Sequence, residues 1–507
     1  MGKINNNPYS AAFFTFAHYI YNVQVIFDIL EKSGNSLHLK NFMERKELLA
    51  DLFTDIEGGR LVQVPSTNSP DDLWEDIFAC KGEGMIAKRN ESTYSPGKKH
   101  NDWLKIKNWR TIFGFLTFYD TNNDYFTVNV YDHDTIREIG KCKHGLDDEA
   151  QKTLQQLFIT KGEKQANGYV LPPAICASIH TLDLFKDELR EPEFKALELE
   201  ISAEDCTYDR LKIDMAMMPS AVELTNMDKV FWPNDGLTKG DLLIFMREIS
   251  AYMLPFLKNR TLTLIRSPDG VNEETFFQKH LPSYAPSFIN SIGEGTEKLI
   301  ICDRLESLIW FANHGSVEFH IPFQKVRSEY PNEIVFDLDP PDRKGFPLAI
   351  QAATWIKRLI DDLDLISFVK TSGNKGLQIH IPIQEGTMTY EDTAIFTQAI
   401  AWTIEKADPS LFTTERMKNK RNGRLYIDYV QHGKDKTLIA PYSPRLTDDA
   451  TVATPLFWEE VKEGLTPDSF TIKNVVDRVQ RLGCPFAGYA DAAKMQNMDK
   501  MLELVKE

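Results

Sequence analysis

The sequence has no C-x-x-C pair, no low-complexity tract and no apolar run long enough to cross a bilayer. Each absence narrows the field. Its six cysteines (Cys80, Cys142, Cys176, Cys206, Cys302 and Cys484) show no paired spacing, which argues against structural zinc or a disulfide framework and for reduced thiols in a cytoplasmic protein. A bilayer-spanning helix needs about 18 consecutive apolar residues. The N-terminal run A-A-F-F-T-F-A-H-Y-I-Y is shorter, is broken by His18 and lacks a small-residue cleavage site, so it reads as a buried strand. A basic surplus is missing too. The net charge of −16 argues against indiscriminate nucleic-acid binding but leaves local patches open.

What is present is a globular composition, 42% hydrophobic and 11% aromatic over 507 residues, with room for about two to four domains. Two stretches run against the acidic trend. From Lys81 to Arg110 and from Arg416 to Arg445, Lys and Arg outnumber Asp and Glu by more than two to one. The chain divides into blocks. Residues 1–110 hold short strands, a helix near Asn41 to Phe53 and a basic end. Residues 111–197 alternate strand patterns with turns such as T-N-N-D and predict a small antiparallel barrel interrupted by a helix from Leu146 to Phe158. A charged and then Met-rich stretch, 198–221, reads as a linker to the last block, 222–507.

In that last block an apolar strand, I-V-F-D-L-D-P-P, ends on Asp337 and Asp339 before Pro340 and Pro341 stop the ladder. Residues i and i+2 of a strand share a face, so the two carboxylates converge where a divalent metal could sit. Hard oxygen ligands suit Mg²⁺ or Mn²⁺. A third acid, Asp428, lies in R-L-Y-I-D-Y-V, whose alternation sets Leu425, Ile427 and Tyr429 against Tyr426 and Asp428. Three acids on two strands suit nucleotidyl transfer to a 3'-hydroxyl. A D-x-D pair is also the signature of metal-dependent glycosyltransferases, and an ordinary solvated strand end reads the same way.

Phosphate-binding candidates surround the acids. Thr238 is a plausible N-cap with Asp241 three residues on, which places Lys239 in a first turn whose free amides, with Lys229, could hold a terminal phosphate. The loop T-S-G-N-K-G contributes two glycines, Ser372 and Lys375. Arg445 and Lys436 are further anion-binding candidates. Phe276 and Phe277 could stack on bases, although core packing is the commoner use of paired aromatics, and His320 reads equally well as a satisfied structural histidine.

The ordered series D-K-V-F-W-P, L-T-K-G-D, R-S-P-D-G-V, F-F-Q-K, V-E-F-H, V-F-D-L-D-P-P, K-T-S-G-N-K-G-L, Y-I-D-Y-V-Q and K-T-L-I-A-P-Y-S-P-R resembles the polymerase domain of bacterial DNA ligase D. That domain belongs to the archaeo-eukaryotic primase superfamily. The resemblance implies Asp337, Asp339 and Asp428 as metal ligands and catalytic residues, with Lys229 and Lys239 gripping a 5'-phosphate and Phe276 and Phe277 on the template. It further implies that His320, Ser372, Lys375, Gln431 and Arg445 contact an incoming NTP or dNTP. Where many family members have a histidine this chain has Gln378, to which no role is carried.

Residues 19–110, with V-Q-V-I-F-D-I-L, G-E-G-M-I-A-K and D-W-L-K-I-K, resemble the later part of the adenylation domain of ATP-dependent DNA ligases. The block order resembles ligase D of the Bacillus type. Phe27 is then implied to stack on adenine, Glu83 to bind metal, and Lys88, Lys105 and Lys107 to neutralise ATP phosphates. The lysine of K-x-D-G that would carry AMP is expected before this stretch, and L-R-E-P-E-F runs into K-A-L-E-L-E in place of the usual basic motif. The expectation is therefore a shortened ligase or a late gene start, without self-adenylation and poorly ordered before about residue 110. The fold class expected is multidomain α+β: a partial nucleotidyltransferase domain (1–110), an OB-fold barrel (111–197), a linker (198–221) and a primase-like α/β polymerase domain (222–507). The function implied is metal-dependent, template-directed addition of (ribo)nucleotides at double-strand breaks during non-homologous end joining. The Ku protein is the implied partner, in the nucleoid-associated bacterial cytoplasm and without a membrane. A working ATP-dependent ligase and a non-catalytic end-binding module are the rival readings.

Overall fold

The computed structural model describes residues 9–14, 24–54, 61–64 and 66–506, divided between two compact units, Met1–Met218 and Pro219–Glu507. The first unit begins with β1 (Tyr9–Phe14); the rest of the apolar run, with His18, lies outside the described residues. Helix α1 (Phe42–Phe53) starts where the sequence placed it. The Asn41 side chain accepts from the Glu44 amide, and the Glu44 carboxylate accepts from the Asn41 amide. After α2 (Pro70–Ala79), strands β2 (Gly84–Arg89) and β3 (Trp103–Lys107) form an antiparallel sheet with β1, in the order β1-β2-β3. Leu73, Ile77 and Met85 make a small core between α2 and this sheet. The described residues before 110 form regular elements around buried apolar side chains.

The barrel follows: β4 (Arg110–Asp120), β5 (Phe126–Asp132), β6 (Thr135–Cys142), α3 (Asp148–Lys161), β7 (Gly168–Thr181) and β8 (Glu193–Glu198). Its order is β6-β5-β4-β7-β8, antiparallel throughout, and register shifts interrupt each of these pairings. Bulges of this kind bend a flat sheet into a barrel. Helix α3 begins two residues later than the sequence suggested because the side chain of Asp147 caps it, accepting from the Ala150 amide. Part of the expected linker belongs to the barrel. Helix α4 (Tyr208–Ala216) sends Leu211 and Met215 into the barrel core beside Ile112, Val128 and Phe194.

The second unit opens with α5 (Lys239–Leu257), β9 (Thr263–Arg266), β10 (Phe276–Gln278), α6 (Leu305–Asn313) and β11 (Ser316–Pro322). Then come β12 (Glu333–Asp339), α7 (Phe346–Asp362), β13 (Phe368–Thr371), β14 (Leu377–Pro382) and α8 (Tyr390–Ala407). Strands β15 (Phe412–Thr413), β16 (Leu425–Asp428), β17 (Thr437–Ile439) and β18 (Pro455–Leu456) complete two sheets. One has the order β10-β9-β11-β17, the other β15-β16-β12-β14-β13-β18.

Alternation decides what each face of the larger sheet carries. Ile334, Phe336 and Leu338 of β12, Leu377, Ile379 and Ile381 of β14, and Leu425 and Ile427 of β16 pack with Ala349, Ile356, Phe396 and Ile400 from α7 and α8. The opposite face therefore receives Asp337, Asp339, Gln378, Tyr426 and Asp428, the alternation read from sequence. With one face sealed by two helices, a slip of one residue would drive carboxylates into the core, so the register is firmly fixed.

Candidate active site

Strand β12 runs antiparallel to both β16 and β14, and its register sets Asp337 opposite Asp428 on one side and Gln378 on the other. Gln378 is in turn opposite Lys370 of β13. Four side chains thus form a row across four strands: Asp428, Asp337, Gln378, Lys370. Asp337 Oδ1 accepts from Gln378 Nε2 at 3.0 Å, and Gln378 Oε1 accepts from Lys370 Nζ at 2.5 Å. Asp428 Oδ1 accepts from the Tyr426 hydroxyl at 3.0 Å and from the Gln431 amide at 2.9 Å. Asp339, at the strand end, is held by two cations, with Lys375 Nζ 2.9 Å from Oδ1 and Arg421 Nη1 3.0 Å from Oδ2.

Electrostatics mark this cluster as short of positive charge at its centre. Burial pushes the Asp337 carboxyl up, against the Gln378 hydrogen bond, and the neighbouring Asp428 and Asp339 add to the effect, to about 6. A divalent cation among three hard oxygen donors would relieve that repulsion, so the donor set fits Mg²⁺ or Mn²⁺. Among the described residues no three His, Cys, Asp or Glu side chains stand as a ready metal cage. Lys375 and Arg421 occupy the oxygens of Asp339 in this arrangement.

Of the nucleotide-contact candidates, His320 lies in β11 and Ser372, Lys375, Gln431 and Arg445 lie on loops. Glu318 of β11, which sequence reasoning missed, organises two of them: its Oε2 lies 2.9 Å from His320 Nε2 and its Oε1 accepts from Arg445 Nε at 3.0 Å. The i, i+2 spacing in V-E-F-H was the available signal. Burial would raise the Glu318 carboxyl, but the His320 contact, the Arg445 charge and the Leu446 amide bring it down to about 2. Arg445 also donates from Nη1 to the Ser372 carbonyl at 2.8 Å, which ties the T-S-G-N-K-G loop to β11. In that loop the Ser372 hydroxyl accepts from the amides of Asn374 and Gly376 at 3.3 and 3.0 Å. A Cβ on Gly376 would lie 2.0 Å from the Leu338 carbonyl oxygen, so the loop can press against the end of β12 only with glycine there. Gln431 Nε2 donates to the Thr437 carbonyl at 2.8 Å, and Lys436 Nζ to that of Val430 at 2.6 Å.

The proposed phosphate grip differs from expectation. Thr238 caps α5 and Asp241 completes the capping box as read from sequence, yet the first amides of the helix are not free. Those of Lys239 and Gly240 donate to the carbonyls of Lys229 and Met227, each at 2.8 Å, and that of Asp241 to Thr238 Oγ1 at 3.3 Å. Any anion held here must rely on side chains. The Lys239 ammonium is turned inward onto the carbonyl of Thr225, and burial, with Lys229 nearby, lowers it to about 8. Lys229 pairs with Asp269 and donates to the Pro268 carbonyl at 2.9 Å. Phe276 and Phe277 are 41% and 74% exposed, against the core-packing alternative, and the Arg266 guanidinium lies 4.9 Å from the Phe276 ring centre.

The first unit places its candidates differently. Lys88 is wholly buried, its ammonium 3.8, 4.7 and 5.0 Å from the ring centres of Trp103, Phe42 and Phe27 and 3.5 Å from Asp28 Oδ2. Phe27 therefore sits over Lys88, and this lysine is not presented to a phosphate. Lys107 is paired with Glu191 and Glu193 at 3.0 and 3.4 Å, and Glu83 with Arg190. Lys105 is exposed. All six cysteines are free thiols.

No helix among the described residues is long and apolar enough to cross a membrane. The sequence matches the LigD primase-polymerase domain over residues 238–486 and the ATP dependent DNA ligase domain over residues 13–107. It is 38% identical over 491 residues to the bifunctional non-homologous end joining protein LigD of Bacillus subtilis, covering 95% of this chain and 80% of that one. To the multifunctional LigD of Mycolicibacterium smegmatis it is 35% identical over 271 residues, 52% of this chain and 35% of the relative. The polymerase domain of Mycobacterium tuberculosis ligase D, solved in complex with DNA, is similar with a TM-score of 0.50 and 31% identity over 53% of this chain and 98% of that one. With both matched domains in the order found here and four fifths of the Bacillus subtilis protein covered, the chain belongs to the LigD family of non-homologous end joining proteins.

Proposed function

We propose that the second unit adds nucleotides to the 3' ends of broken DNA on its carboxylate face. The observation that carries this reading is the set of three carboxylates on one sheet face, Asp337, Asp339 and Asp428, beside Lys375 and near Arg445. Mg²⁺ or Mn²⁺ held by these carboxylates would neutralise their charge and supply the Lewis acid for attack by a 3'-hydroxyl on a nucleoside triphosphate. The residues of the chain do the rest. Arg445 and Lys375 bind triphosphate oxygens, Arg445 with its planar fork and Lys375 as a point charge. His320, Ser372 and Gln431 orient the nucleotide, and Phe276 and Phe277 offer exposed rings for the template bases. Lys229, whose side chain is partly exposed, holds the 5'-phosphate across the break, and Lys239 joins it only by turning away from the Thr225 carbonyl.

The substrates in this reading are DNA ends with a 5'-phosphate and both ribo- and deoxyribonucleoside triphosphates, with the Ku protein as partner at the bacterial nucleoid. The test is extension of a recessed 3' end by the full chain with Mn²⁺ or Mg²⁺. Replacing Asp337 and Asp339 together by Asn removes extension, a fall of about a thousandfold or more if both carboxylates act on the reacting phosphate. Extension at wild-type rate by the double variant sinks the assignment.

A further inference from the structure

Lys370 is fully buried in the middle of a sheet, and its ammonium donates to two neutral acceptors, Gln378 Oε1 at 2.5 Å and the Thr371 carbonyl at 3.4 Å. A buried ammonium is costly, and the usual compensation is a carboxylate in direct contact. Here the carboxylate lies one residue further along the row: Gln378 stands between the ammonium and Asp337, accepting from one and donating to the other. An amide is well suited to that place because it carries an acceptor at one end and donors at the other. The ammonium fixes which end faces which way. With Lys370 holding the carbonyl, the NH₂ group must point at Asp337; without it the amide can turn and set its oxygen against the carboxylate. Gln378 is 3% exposed, so water has little access to settle its orientation instead. The far end of the row has its own support, since Asp428 is held by Tyr426 and by the Gln431 amide.

We propose that Lys370 is a positioning residue for the carboxylate site: acting through Gln378, it fixes Asp337 so that its second oxygen remains available to a divalent cation. The proposal rests on the reading of Asp337 as a metal ligand. It assigns a role to two side chains, one of which the family resemblance left without any.

The experiment is a double-mutant cycle on the full chain with Lys370→Met, Gln378→Leu and the pair, read first as Mn²⁺ binding by electron paramagnetic resonance of the free ion. Each single variant weakens Mn²⁺ binding about tenfold, and the pair weakens it no more than the worse single change, because both break one connection. Gln378→Leu strips a fully buried ammonium of its nearest acceptor and lowers the melting temperature, so Mn²⁺ binding is read well below that midpoint, where metal-free binding of a 5'-phosphorylated DNA end stays near wild type, which a merely structural role would not predict. Unchanged Mn²⁺ affinity in either single variant, or losses that multiply in the pair, overturn the proposal. Should Lys370→Met fail to fold, Gln378→Leu carries the test, since the same loss is required of it. Primer extension by the wild type is measured alongside. If the wild type binds Mn²⁺ at Asp337 yet extends no primer, the polymerase reading fails; if it extends and the variants bind Mn²⁺ as it does, only the positioning role fails.

Discussion

The two units use the same kinds of side chain to opposite ends. In the first, two of the three lysines that match a ligase are committed to the chain's own carboxylates or rings, Lys88 to Asp28 and three aromatic side chains and Lys107 to Glu191 and Glu193, while Lys105 is exposed. In the second, Lys375 and Arg421 are partnered too, but with Asp339, one of the carboxylates of the candidate site itself. Lys88 is closed off by burial and by its aromatic neighbours, whereas a cation paired with a site carboxylate stays where a ligand can take it over. Matching a motif residue to its type is therefore not enough; its partner decides what it does.

The comparison is most exposed to a substitution at Asp28. This carboxylate receives Arg45 Nε at 2.9 Å and Arg45 Nη2 at 3.1 Å as well as the Lys88 ammonium, and both cations are fully buried. Asp28→Ala leaves two buried charges uncompensated and costs the first unit about 3–5 kcal/mol, seen as an early unfolding step, while primer extension persists. Loss of extension with stability intact would erase the distinction between the units.

A smaller effect is expected at Glu318, where a carboxylate holds site residues together. Its folded value of about 2 lies below the ordinary 4.5, so it binds its proton more readily when unfolded. The stability it contributes is complete above about pH 4.5 and drains away as pH falls toward 2, amounting to about 3 kcal/mol. Glu318→Gln should narrow the gap in melting temperature to wild type as pH drops from 6 to 3; a gap that stays constant would show that Glu318 stabilises by shape alone. The smallest effect is expected for Lys88→Met. An unbranched apolar chain of similar length fits among Phe27, Phe42 and Trp103, and Asp28 keeps Arg45, so the change stays within about 1 kcal/mol. A large loss in chemical denaturation would mean that the Lys88 charge is indispensable to the first unit.

Much of the site was legible because it is local. The shared face of Asp337 and Asp339, the opposed sets around Asp428, the Asn41 cap and the Thr238 capping box each depend on residues within a few positions, where strand and helix periodicity govern. What escaped depends on register between distant strands. Lys370 meets Gln378, and Gln378 meets Asp337, only because β13, β14 and β12 are aligned as they are. The amides at the start of α5 read as free from sequence, but a chain segment returning through Met227 and Lys229 supplies their acceptors. The helix at Tyr208–Ala216 was hidden for a similar reason. Its flanks read as a charged linker, while the apolar positions that anchor it, Leu211 and Met215, face strands laid down nearly a hundred residues earlier.

The contact between Gly376 and β12 bears on how this sequence can change over time. A side chain at that position would meet the backbone of Leu338, one residue from both Asp337 and Asp339, and nothing flexible lies there to yield. The glycine is thus constrained by the strand it leans on, independently of any ligand. Among related chains, variation in this loop should be sought at Asn374, which is exposed, and a lineage that abandoned the chemistry altogether would still be expected to keep the glycine for as long as it kept the sheet.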